Sequence, residues 1–84
     1  MMLRKGEISA ARLRREWPHH VALSGDKVRG IEKSKIVRGF AETLSVAPRT
    51  FWMCRDDHEF VVFYFAKPKD AEAFCNRFDG ERLP

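Results

Sequence analysis

Cysteine is scarce in this 84-residue chain, which has only Cys54 and Cys75. Two cysteines are no disulfide framework, and a reducing, cytoplasmic setting is expected. Long apolar runs are also missing. The longest, Phe60 to Ala66, is far below the roughly 18 residues of a membrane span. The N-terminal segment lacks the apolar core of a signal peptide, and Glu7 and Glu16 argue against reading its arginines as a transit peptide. Repeats and low-complexity stretches are absent. The chain is too short for a doubly wound nucleotide-binding fold or a barrel enzyme, so one small domain is expected.

Catalytic and metal-ligating patterns are equally thin. Cys54 and His58 match no recognised zinc spacing with Cys75, His19 or His20, so neither metal nor cofactor is expected. Asp56 and Asp57 are adjacent and read as turn formers rather than as an acid and a base. No nucleophile and base can be paired from the sequence, and the expectation is a non-enzyme. Gly25 and Gly30 have the G-x4-G spacing of a phosphate loop, but the Lys-Ser that should follow at once is displaced to Lys33-Ser34.

Rings and positive charge are what the chain does have. It is 44% hydrophobic and 33% charged, which argues against disorder, and 12% aromatic with seven Phe. The net charge of +4 is uneven. Residues 1–38 carry ten basic and four acidic side chains, and residues 39–84 carry six basic and eight acidic ones. Attraction for a polyanion is therefore expected on the first half. The candidate phosphate-binding residues there are Arg4, Lys5, Arg12, Arg14, Arg15, Lys27 and Arg29. An arginine fork can hold a phosphate without reading sequence. A solvated basic surface is the plainer reading of the same residues.

Residues 7–16 read as a short basic helix, with Ala10, Leu13 and Trp17 as a thin apolar stripe closed by Pro18. The division is a basic arm over 1–17 and a single domain over 18–84. His19 to Ser24 alternates as a strand, and a loop runs to Gly30. A helix is then expected to about Ser45. Val37, Phe40, Ala41 and Leu44 form its buried face with Ile36 beside them, and Gly39 inside it costs about 1 kcal/mol. Arg49 to Arg55 and Glu59 to Ala66 read as a hairpin around Asp56-Asp57-His58. Pro68 suits the first turn of a last helix and Gly80 its C′ position, with Ala71, Phe74, Cys75 and Phe78 on one face. The order β-α-β-β-α with a stub of a fourth strand predicts an α+β fold of ferredoxin-like, split βαβ type.

The predicted hairpin pairs Arg55 with Phe60 and Cys54 with Val61. One face then carries Trp52, Cys54, Val61, Phe63 and Phe65, and the other carries Phe51, Met53, Arg55, Phe60, Val62 and Tyr64. Two helices cover one face only, so the second set is the candidate interaction face. Three occupants suit it: a second copy of the chain, the N-terminal helix folded across it, or stacked bases. Phe40, Trp52, Phe63, Phe65, Phe74 and Phe78 are expected in the core.

The run His58-Glu59-Phe60-Val61-Val62-Phe63-Tyr64-Phe65 resembles the longer signature strand of the RNA-recognition motif. Pro68 to Phe74 is similar to the opening of that family's last helix, Phe78-Asp79-Gly80 with Leu83 to its turn into a fourth strand, and Val21-Ala22-Leu23 sits where the shorter signature belongs. Ala22, Glu59 and Val62 depart from the pattern. The resemblance spans residues 19 to 83 and implies single-stranded RNA stacked on the open face, with Phe60 in a stacking position. Two function classes follow: a self-associating protein-interaction module, or a nucleic-acid-binding module using that face and the basic arm.

Overall fold

A computed structural model describes residues 9–83. Their elements are helix α1 (Ala10–Glu16), strand β1 (His19–Ser24), a 3-10 turn (Gly25–Lys27), helix α2 (Ile31–Glu42), strands β2 (Phe51–Arg55) and β3 (His58–Phe65), helix α3 (Pro68–Phe78) and strand β4 (Glu81–Leu83). The fold is α+β, with three α-helices and one four-stranded antiparallel sheet ordered β2-β3-β1-β4 among the described residues. β1 and β2 both run antiparallel to β3, so they run the same way with β3 between them.

Alternation along the strands divides the sheet into two faces. Val21 and Leu23 of β1 and Val61, Phe63 and Phe65 of β3 face α2 and α3, and build the core with Val37, Ala41, Ala71 and Phe74. Phe74 is its hub. Its ring centroid lies 4.8 Å from that of Phe63, 5.0 Å from Phe65 and 5.1 Å from Phe78. Burying such a side chain fully is worth about 1.5–3 kcal/mol.

The helices begin and end for local reasons. Ser9 caps α1, its Oγ accepting from the Arg12 amide at 3.2 Å. α2 stops at Glu42, short of the expected Ser45. The Leu44 amide donates to Ala41 and the Thr43 hydroxyl to the Phe40 carbonyl at 2.6 Å, which closes the last turn tightly. Ile36, expected beside the buried face, is exposed. α3 starts at Pro68, which has no amide hydrogen to leave unpaired. Asp70 in its first turn accepts from the Ser45 amide at 2.9 Å, and the Lys67 amide donates to the Ser45 hydroxyl at 3.1 Å. The left-handed residue ending α3 is Asp79 (φ 56°), not the neighbouring glycine. Gly80 is required by space instead, since a Cβ there would lie 2.7 Å from Leu23 and 2.8 Å from Val21.

The hairpin differs from expectation by two residues of register. Arg55 pairs with His58, Cys54 with Glu59 and Met53 with Phe60. Asp56 and Asp57 both have positive φ, 53° and 65°, as a two-residue type I′ turn requires. The tighter turn moves each partner two residues from the predicted pairing. An even shift preserves the faces, which a shift of one would have exchanged.

Candidate interaction surface

The expected interaction face is assembled as a face and then largely covered by the chain's own groups. Phe51, Met53 and Arg55 of β2, Phe60, Val62 and Tyr64 of β3, and His20, Ala22 and Ser24 of β1 share it by register. Val62 and Ala22 at its centre are 4% and 2% exposed. α2 and α3 cannot cover them, because those helices lie on the other side. Leu13 of α1 is 1% exposed yet stands outside the helix-side core. The charge of Arg14 acts on both His20 and Tyr64, and the Trp17 backbone on His20. α1 therefore lies against this face at its His20–Tyr64 end, with Leu13 buried outside the helix-side core.

The rest of the face is held by rings and ions. The imidazole of His20 packs on Tyr64 with centroids 4.2 Å apart, and Phe51 meets Tyr64 edge-on at 5.8 Å. The guanidinium of Arg55 sits 5.1 Å from the centre of the Phe60 ring and donates to Glu81 of β4 at 2.8 Å. That pair is a strap over the Phe60 end of the sheet. Arg49 covers Phe51 in the same way at 5.6 Å. Phe51, Met53, Phe60 and Tyr64 are half-buried in consequence.

The ring left uncovered lies elsewhere. Trp52, expected in the core, is 52% exposed. It is on the helix face by register, but β2 is the outermost strand, and neither α2 nor α3 encloses its indole. Gly25 of the 3-10 turn abuts one edge of that ring. Exposed Cys54 stands two residues along on the same face.

The β2 edge also presents unpaired backbone. Arg55 and His58 flank a two-residue turn, so their peptide groups bond to each other, and the pattern alternates along the ladder. Met53 and Phe51 then bond inward to β3. The amides and carbonyls of Trp52 and Cys54 point outward. The other edge, β4, spans only Glu81–Leu83.

The candidate phosphate ligands do not converge. Arg4 and Lys5 lie outside the described residues. Arg12 pairs with Glu16 at 2.7 Å. Lys27 donates to the carbonyls of Phe78 at 2.7 Å and Asp79 at 3.0 Å, closing the C-terminal end of α3. Arg29 pairs with Glu59 and with Asp26. Arg14 and Arg15 are exposed on α1.

Among the described residues no group of three or more His, Cys, Asp or Glu side chains could hold a metal ion, and no helix is long and apolar enough to cross a membrane. Both cysteines are free thiols, and Cys75 donates to the Gly80 carbonyl at 3.0 Å. Compared with protein-family models, curated proteins and solved structures, the chain matches none.

Proposed function

We propose that this chain is a non-enzymatic interaction module that self-associates through the outer edge of β2. The observation that carries this reading is Trp52, a large ring 52% exposed on a strand whose outward peptide groups have no neighbouring strand among the described residues. Such an edge is a template for another strand. Two copies of β2 meeting antiparallel about a two-fold axis at Met53 place Trp52 opposite Cys54 of the second copy, twice. Those are the residues whose peptide groups point outward, so the ladder forms without disturbing the pairing to β3. Each indole then packs over the other copy's Cys54 and leaves water.

A ferredoxin-like, split βαβ plan is supported by β3 lying between the co-directional β1 and β2. Nucleic-acid binding through the open face is the weaker reading. Arg55 and Arg49 already occupy the rings that bases would stack on, Arg12 and Arg29 are ion-paired within the chain, and Lys27 is bonded to the carbonyls ending α3.

Cys54→Pro tests the proposal. It deletes one outward amide and leaves the inward ladder intact. Light scattering should give a dimer for the wild type and a monomer for the variant. A wild-type monomer at sub-millimolar concentration contradicts self-association. A single-stranded RNA titration at low salt that shifts the Phe60 and Arg14 resonances together would support the other reading.

A further inference from the structure

Among the described residues, one buried polar side-chain atom lacks a partner: Nε2 of His20. It sits on the sheet face that α1 covers, with its ring against Tyr64. Buried polar atoms are nearly always paired, and an orphan calls for a reason. As a bare lone pair this nitrogen is tolerable. Once protonated it becomes a buried donor with no acceptor and carries a charge.

The surroundings make that charge unwelcome. Arg14 of α1 and His19 of β1 contribute positive charge or the capacity for it, and Tyr64 of β3 is neutral. On β4 the residue opposite His20 is Leu83. The carboxylate further along that strand, Glu81, is engaged by Arg55. α2 and α3 are on the other side of the sheet. Only the Trp17 backbone favours the charged form.

α1 has little of its own to resist displacement. It has seven residues. A helix that short is unstable in water without packing. Its apolar side chains are withdrawn from water, Leu13 being 1% exposed and Trp17 half-buried, and it leads directly into β1, where His20 is the second residue.

We infer that α1 is an acid-released latch over the sheet face, with His20 as its trigger. Protonation of Nε2 undocks α1 and uncovers Ala22, Val62 and Tyr64, while the core between the sheet and α2 and α3 stays folded. Burial, helped by Arg14 and His19, lowers the imidazole from its ordinary value of 6.5 while α1 is docked. The docked state is therefore favoured above that value, and it loses ground as pH falls below it toward the lowered value. This inference does not rest on the self-association reading.

Methyl and indole NMR on the full chain, from about pH 7.5 to about pH 5, tests it. The Leu13 methyl and Trp17 indole signals should move to the positions of an undocked segment, with a midpoint below 6.5 that tracks the His20 ring signal. The Val61 and Val21 methyls should stay in place. His20→Phe keeps a ring against Tyr64 and cannot be protonated, so its α1 should stay docked across the range. His19→Gln should leave the transition present. If His20 titrates while Leu13 does not move, or if His20→Phe shows the same transition, the latch is wrong. Should His20→Phe fail to fold, the Leu13 signals of the wild type decide alone.

Discussion

Single side chains here are placed by space and charge more than by type. Gly80 is the clearest case. The turn after α3 draws its positive φ from Asp79, and the glycine is needed because Val21 and Leu23 stand under it. Gly80→Ala should cost about 1–3 kcal/mol by overpacking, read as a lower midpoint in urea unfolding. Gly30, in contrast, has a φ of 91° and open space around it. Asp70 ties the start of α3 to Ser45, and hydrogen bonds from Ser45 hold its carboxyl below the usual range. This contribution is present above the carboxyl's ordinary value of 3.8 and fades as pH falls through the lowered one. Asp70→Ala should lower stability at neutral pH by about 1 kcal/mol, and the difference from wild type should shrink in strong acid. His20 has a dependence of the same sign in a higher pH window, because burial lowers its imidazole below 6.5 and docking loses ground as pH falls past that value. Turn residues, proline positions and strand alternation were legible in the sequence. The need for Gly80 was not, because the two side chains beneath it belong to a strand more than fifty residues away.

At the scale of elements, hydrophobic periodicity located the three helices and the first three strands, and local closure set their ends. The hairpin shows how far each signal reaches. Alternation assigned Phe51, Met53, Phe60 and Tyr64 to one face correctly. The turn type then chose the register, and two aspartates with positive φ made the loop shorter than expected. Asp57→Gly should relieve that conformation and stabilise the hairpin by about 0.5 kcal/mol, net of the extra freedom glycine brings to the unfolded chain. α1 was legible as a helix with a thin apolar stripe. Its seat was not, because the stripe is too short to name a partner. Leu13 is buried outside the core that α2 and α3 build, and the short stripe alone does not point there. Leu13→Ala in a core would cost about 2–5 kcal/mol. Here the loss should be smaller, because α1 can leave instead of enclosing a cavity. Global unfolding should change little, while amide exchange in residues 10–16 becomes fast.

For the whole molecule, the excess of rings is resolved in a way that composition could not show. The chain covers most of its second sheet face with α1, the Arg55–Glu81 strap and Arg49. Trp52 escapes because two helices packed on the inner strands do not enclose the outermost one. Its strand parity was readable and its exposure was not, since the position of β2 at the sheet edge depends on long-range pairing. The N-terminal excess of positive charge is likewise spread over helix ends and ion pairs rather than gathered into one site. What remains for a partner is a strand edge with an indole on it. Sedimentation equilibrium of the wild-type chain at neutral pH measures that claim most directly. A mass of twice 9.8 kDa is expected at sub-millimolar concentration, falling to the single-chain value for Cys54→Pro. A wild-type mass of 9.8 kDa throughout would contradict it.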